Sequence, residues 1–332
     1  MSQNAVTEKK SLGRFGKELL SSYGAVLGIL VLMVIFQLIE PRFMRLANIT
    51  NVFTTSTLLV LMSVAIMMPM SVRGIDLSVA QVADAAAVIS SMLIIAKQPA
   101  WVAVAGGVGF ALLIGVINGL LMGYLGIPAI IGTLGMMFIV RSIELMLTNG
   151  AQPQIMFTLP AKYTKAFFFI GQGSIFSVQM LVIICYVLVV VMYLVKEKSI
   201  FGRHMDAIQG NVRTAYLSGI NIRSTFAKAF VCCSVLAGIA GVMLAARSGS
   251  TTPRGVESYL TDCFVAVYIG TLVSKDNRFN VIGTVIGALF VSFMSNFFTL
   301  TGMGADYKNI FNGLFIIAAV ALGALQRRVH RS

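Results

Sequence analysis

The side chains with chemistry to offer are acids set inside apolar runs. Asp84 and Asp262 each lie in a stretch otherwise dominated by Val, Ala, Ile, Leu and Met. An ionisable group inside a bilayer costs ~2.5–3.5 kcal/mol on insertion scales, so it is kept for a function or for pairing. Each follows a break rich in Pro, Gly and charge. The first is Pro69-Met70-Ser71-Val72-Arg73-Gly74-Ile75-Asp76-Leu77-Ser78, with Gln81 shortly after; the second is Pro253-Arg254-Gly255-Val256-Glu257-Ser258. Arg73 to Asp76 and Arg254 to Glu257 match in type: Arg, Gly, a β-branched apolar residue, an acid. Carboxylates of this kind suit a polyhydroxylated solute or a cation, and the residue types do not choose between them. A plainer reading makes both breaks ordinary turns with Arg–acid pairs at the surface.

Other chemistries are missing. There is no G-x-x-x-x-G-K-[ST] phosphate loop, and the GRFGK of Gly13 to Lys17 lacks its spacing. Neither G-x-S-x-G nor H-E-x-x-H occurs, and His204 and His330 stand in basic segments without partners. No enzyme, catalytic residue, metal ligand or cofactor of its own is expected of this chain. Cys185, Cys232, Cys233 and Cys263 fall inside apolar runs and read as small core side chains.

The elements that must position these groups are membrane helices. Of the 332 residues 58% are hydrophobic and 11% charged, and mean hydropathy is +0.89, which excludes a soluble domain. The runs are longer than the alternating ~10-residue segments of membrane barrels, so the spans are helical. The expectation is an all-α integral membrane protein of about ten spans, at 22–39, 51–72, 77–96, 100–125, 128–147, 177–195, 225–247, 258–274, 279–300 and 309–325. The net charge of +13 collects at the ends of apolar runs, which points to a membrane and not to nucleic acid. Most Lys and Arg fall on one set of loops, placing both termini in the cytoplasm. A basic N-terminus (1–21) precedes an uncleaved first span, a single polytopic domain fills 22–325, and a basic tail (326–332) follows. The longest external interval, Thr148 to Phe176, carries aromatic residues beside lysines at Pro160 to Phe169, as expected of an interfacial stretch or a binding-protein contact.

The two breaks occupy corresponding places, each after the second span of a five-span half. An odd number of spans per half gives the halves opposite orientation, and paired breaks then meet at the centre of a transporter. Arg73, Gly74, Asp76, Ser78, Gln81, Asp84, Glu257 and Asp262 are the candidates for lining or bracing that path.

One long polar interval remains, the segment 196–224, reading KEKSIFGRHMDAIQGNVRTAYLSGINIR from Lys196 to Arg223. Two short helices fit it, the first opening near Gly202, with Gln209-Gly210-Asn211 interrupting and Val212 to Leu217 forming the second. Its residues Phe201-Gly202-Arg203, Ala207, Gly210-Asn211, Ala215 and Leu217-Ser218-Gly219-Ile220 resemble the F-G-R-x-x-x-A-x-G-G-N-x-x-x-A-x-L-S-G-I segment of ribose-type permeases. These are membrane subunits of bacterial ATP-binding-cassette sugar importers. Gly74 to Val79 resembles their G-G-I-D-L-S-V-G stretch, with Arg73 and Ala80 in place of the outer glycines. Ile127 to Gly135 with Arg141 and Leu147 to Gly150, and Ile282 to Leu289, resemble two further segments. Two departures stand out: Gln209 replaces the first glycine of G-G-N, and the run after Glu257 loses most of its glycines and gains an acid.

The resemblance implies that 196–224 contacts a cytoplasmic ATP-binding subunit, which would bind ATP and Mg. Arg203, Asp206 and Arg213 would supply polar contacts and Met205 and Ile208 the apolar part, with Phe201, Gly202, Ala207, Gly210 and Asn211 shaping the segment. It also implies a periplasmic solute-binding protein and a second permease, identical or related, in a bacterial inner membrane. The solute would be a sugar or a sugar-like compound. A secondary transporter using Asp84 and Asp262 for proton or sodium coupling is the alternative, and a purely structural membrane subunit with fully paired acids is a third reading.

Overall fold

The computed structural model describes residues 27–274 and 278–329. The expected basic N-terminus, Lys275 and His330 lie outside the described residues. The helices, in chain order, are α1 (Leu27–Ile39), α2 (Leu46–Thr55), α3 (Thr57–Met70), α4 (Val79–Ile95), α5 (Ala100–Gly119), α6 (Ala129–Leu147), α7 (Ala161–Gln172), α8 (Met180–Tyr193), α9 (Ile200–Gly210), α10 (Val212–Leu217), α11 (Ile222–Ser248), α12 (Tyr259–Val273), α13 (Val281–Leu300) and α14 (Ala305–Val329). π-helical turns extend α5 through Leu120–Tyr124 and α8 through Leu194–Lys198.

Two helices form the centre. Every residue of α3 is buried, as a helix apolar all round must be when other helices surround it, and its two hydroxyl residues, Thr57 and Ser63, are buried with the rest. Beside it runs α11, capped at its start by Asn221, whose side chain accepts from Ser224 N, and ended by Gly249 at φ 67°. Small residues let neighbours close on α11. A Cβ on Gly241 would stand 1.9 Å from the Ala83 carbonyl of α4, and one on Gly238 2.4 Å from Ala111 of α5.

Among the described residues five helices are long and apolar enough to cross a membrane, or six if α2 and α3 form one bent span. The expected span at 51–72 is therefore not straight. It starts earlier, at Leu46, and turns by 42° at Ser56. The hydroxyls of Thr54, Thr55, Ser56 and Thr57 each bond a carbonyl in the preceding turn, and a run of such back-bonding bends a helix. The expected spans at 77–96 and 258–274 hold the short helices α4 (17 residues) and α12 (15 residues). At about 26 Å and 23 Å they fall short of a ~30 Å hydrocarbon layer.

The packing repeats itself. α4 lies against α5 and α6, and α12 against α13 and α14. α4 also packs on α11, and α12 on α3. Gly107 of α5 meets the Ala86 carbonyl of α4 (2.6 Å to an added Cβ), and Gly287 of α13 meets the Ala266 carbonyl of α12 (2.0 Å), the two pairs being separated by one common interval along the chain. The stretch expected to be interfacial forms α7. Its Phe167 is buried, and Gly171 packs against the Arg247 backbone, so this helix belongs to the packed body. The strand Gln154–Ile155 pairs antiparallel with Ser250–Thr251.

Candidate functional site

The first break is folded by its own acid. Asp76, fully buried, accepts from the Ser78 backbone N–H (2.9 Å) and from the Ser78 hydroxyl (2.6 Å), fixing the start of α4. Asn118 at the end of α5 donates to Ser78 Oγ (3.0 Å), and Thr133 of α6 accepts from Leu77 N and donates to Ile75 O, each at 3.1 Å. Gly74 fits because a Cβ would come within 3.0 Å of the Phe230 ring. Around this break the buried atoms Gln81 Oε1 and Asn118 Oδ1 have no hydrogen-bond partner among the described residues. They are acceptors left over for water or a solute.

The second break is held from outside itself. Both carboxylate oxygens of Asp84 lie 3.1 Å from the Val256 backbone N–H. Glu144, buried on α6, stands beside the Arg254 backbone, and Arg141 one turn earlier approaches Glu257 at 3.6 Å. α6 thus touches the first break near its start and the second near its end. Gly74 lies at the level of Phe230 and Ala83 at that of Gly241, so the two contacts are about 16 Å apart along α11.

Neither tetrapeptide pairs its own Arg side chain with its own acid; Glu257 pairs instead with Arg141 of α6. Both arginines instead adopt left-handed backbone, Arg73 at φ 62° and Arg254 at φ 68°, a conformation costing ~1–2 kcal/mol outside glycine. The Arg73 side chain crosses to the end of α9. Its Nε and Nη2 donate to Gln209 O (3.0 and 2.8 Å), and Nη2 also donates to Gly210 O (2.8 Å). A cation at the last carbonyls of a helix also meets the negative end of its dipole. Two departures from the permease pattern, Arg73 and Gln209, therefore meet in space.

The 196–224 segment folds as its capping residues dictate. Ser199 accepts from Gly202 N to start α9, and Asn211 accepts from Arg213 N and Thr214 N to start α10. A Cβ on Gly202 would fall 1.7 Å from the Lys196 carbonyl, so only glycine fits. Buried Lys196 pairs with Asp206 at 2.5 Å, so Asp206 is engaged within the chain and is not free for a partner. Met205 and Ile208, expected on the docking surface, are fully buried, because the apolar face of α9 packs on its own membrane helices. Phe201 and Ala207 are half-buried. The exposed face carries Arg203, Gly210, Asn211 and Arg213, with Tyr216 and Leu217 as its apolar part.

Asp262 has other neighbours. Lys308 of α14 lies 2.5 Å from its Oδ2, and Asn312 donates to its Oδ1 at 2.6 Å. With both acids held by protein groups, Asp84 by Val256 and Asp262 by Lys308 and Asn312, neither is poised as a free coupling site. Sequence reasoning missed Glu144, Asn118, Thr133, Lys196 and Lys308. The criterion that found Asp84, a polar group inside an apolar run, would also have found Glu144 and Asn118. Cys185, Cys233 and Cys263 are buried as expected and Cys232 is half-buried. Among the described residues no group of three His, Cys, Asp or Glu is arranged to hold a metal.

A family model described as "Branched-chain amino acid transport system / permease component" matches residues 48–320. The chain belongs to this family. It is 28% identical over 306 residues to the ribose import permease protein RbsC of Escherichia coli (strain K12), covering 92% of this chain and 94% of that one. To the D-allose transport system permease protein AlsC of the same strain it is 28% identical, with 91% of each chain covered. To the L-arabinose ABC transporter permease protein AraH of Azospirillum brasilense it is 27% identical, covering 95% and 91%. No solved structure matches. Family membership makes the chain a membrane permease component, a translocation subunit, and favours that reading over ion-coupled secondary transport.

Proposed function

We propose that this chain is the transmembrane subunit of an ATP-driven importer in a bacterial inner membrane, moving a sugar or sugar-like solute released by a periplasmic binding protein. The observation that carries this is the Arg73 contact: an exposed basic two-helix segment is tied directly to a helix break in the membrane core. Closure of a cytoplasmic ATPase, which binds ATP and Mg, moves α9 and α10. Arg73 passes that movement to the first break, and α6 carries it to the second.

In this reading the membrane domain has about ten spans in two inverted halves. The repeated helix packing and the two left-handed arginines support that symmetry. Both termini are cytoplasmic, 196–224 faces the ATPase, and a second permease, identical or related, completes the pathway. Relatives named for ribose, D-allose, L-arabinose and galactose make a monosaccharide the first solute class to try.

The test is co-purification of the detergent-solubilised chain, expressed with its candidate ATPase, against Arg203→Glu plus Arg213→Glu. The ATPase should travel with the wild type and be lost from the folded double variant. Absence of any association with the wild type would sink the importer reading.

A further inference from the structure

The amphipathic helix α2 has no role in anything derived above. Going round its axis, Thr50, Thr54, Ala47, Asn51 and Thr55 form one continuous arc, while Leu46 and Phe53 lie together outside that arc and Val52 is buried. An arc of hydroxyls and an amide is out of place on the rim of an apolar bundle unless water or solute faces it. Two cavities flank it. One, of about 690 Å³, lies between Thr50 and Thr54 and the α7–α8 side, reaching Gln172, Gln179 and Arg247. The other, of about 350 Å³, lies between Asn51 and Thr55 and the helices α12, α13 and α14, reaching Asp262, Asn296 and Lys308. Every residue of the arc lines one cavity or both, and Phe53 at the edge of the helix lines the larger one.

Part of the polar lining of the smaller cavity is unsatisfied. Among the described residues the Asn51 amide and the Ser258, Ser292 and Ser295 hydroxyls make no side-chain hydrogen bond. Thr55 spends its proton on the Asn51 carbonyl and leaves its oxygen lone pairs facing out. Asn48 and Asn296 exchange amide hydrogen bonds of 2.8 and 3.0 Å, holding α2 to α13 beside the cavity. The space is thus lined by hydroxyls and amides that can both give and take a proton, as a polyhydroxylated molecule requires. Among the described residues that line it, the charged pair Asp262 and Lys308 neutralise each other, so the site offers no net charge to an ion.

We propose that the polar arc of α2 is the wall of the solute path, and that the cavity between it and α12–α14 is a binding site for an uncharged polyhydroxylated solute. This deepens the importer reading and rests on it for the solute class. The 42° bend at Ser56 is what turns the arc toward both cavities and away from the apolar α3.

The experiment places single cysteines at Thr50, Asn51, Thr54 and Thr55, and at Leu46, which lines neither cavity, as the control, in a full-length chain with Cys185, Cys232, Cys233 and Cys263 replaced by Ala. Intact cells are labelled with membrane-impermeant methanethiosulfonates, one cationic and one anionic. The arc positions should react at least about tenfold faster than Leu46, with the two reagents similar at Asn51 and Thr55. With Lys308→Met, the cationic reagent should gain about tenfold over the anionic one there, because Asp262 is left alone; Lys308→Met with Asp262→Asn should restore parity. Equal labelling of arc and control positions, or none on the arc, overturns the path. A strong charge preference in the parent chain overturns the uncharged solute. No reading here depends on an ATPase or a sugar, so failure of the co-purification test leaves this result standing on its own.

Discussion

Replacing Arg73 by Gly separates two things that one residue does. Its guanidinium makes three hydrogen bonds of 2.8–3.0 Å to the Gln209 and Gly210 carbonyls. A bond from a charged donor contributes ~1.5–3 kcal/mol when sheltered. Arg73 is exposed, and exposed ionic contacts retain only ~0.2–1 kcal/mol each, so the contact as a whole is worth about 1–2 kcal/mol. Against this stands the left-handed backbone at φ 62°, which costs an arginine ~1–2 kcal/mol and a glycine almost nothing. The two effects offset each other, so Arg73→Gly should melt within a few degrees of wild type. Arg73→Ala loses the contact and keeps the strain, and should be about 1–2 kcal/mol less stable.

Function should divide differently. Losing about 1.4 kcal/mol of connection between α9 and the first break lowers coupling about tenfold. The assay uses the permease with its ATPase in proteoliposomes, following ATP hydrolysis, sugar uptake and hydrogen exchange of residues 71–78 with and without ATP plus vanadate. Arg73→Gly should hydrolyse ATP and hold its ATPase while uptake, and the exchange response at 71–78, fall about tenfold. Arg73→Lys, reaching fewer carbonyls with its single ammonium, should be intermediate. Wild-type uptake and exchange response in Arg73→Gly would refute the linkage. A parallel loss of ATPase binding would place Arg73 in docking instead.

Gly287→Ala sets a methyl 2.0 Å from the Ala266 carbonyl, backbone that cannot give way; α12 and α13 must part, costing ~1–3 kcal/mol by thermal melting. Gly135→Ala, with nothing within 4 Å, should leave melting unchanged or raise it slightly. Asp84→Ala leaves the buried Val256 N–H unpartnered, about 1–3 kcal/mol of local destabilisation, read as faster hydrogen exchange at 254–258 with α11 unchanged. At the membrane edge, the hydrogen bonds of Arg42 hold the Glu40 carboxyl from its ordinary 4.5 down to about 2. A lowered folded pKa gives stability that is whole above pH 4.5 and lost as pH falls toward 2. The Arg42 contact to the Leu300 carbonyl should therefore persist unchanged from pH 7 to 5, by hydrogen exchange around residue 300, and weaken only below 4.

What was legible in the sequence was local chemistry. The 196–224 interval divides where Asn211 caps α10 and where Gly219 turns at φ 80°, because capping is settled by neighbours in the chain. The paired breaks could be read for the same reason: Pro, Gly and an acid in sequence state where a helix stops. Direction across space could not. Met205 and Ile208 are spaced to share a face, but spacing does not say whether that face meets a partner or the chain's own helices. Lys308 escaped because its partner, Asp262, is far away in sequence.

α2 carries the argument one step further. A span expected from residue 51 leaves Leu46 to Thr50 outside it, and the polar arc is cut at that boundary. The structure assigns those residues to a helix, and the threonines then act twice. Their protons bond back to the helix and bend it at Ser56, while their oxygens face the cavities. Valine in their place, nearly the same volume, would straighten the span and dry its wall together, so the bend and the polar surface form one feature of this chain. Arg73 joins strain and contact in the same way at the other functional end. In both places a residue that looks unfavourable in isolation is accounted for by what it reaches.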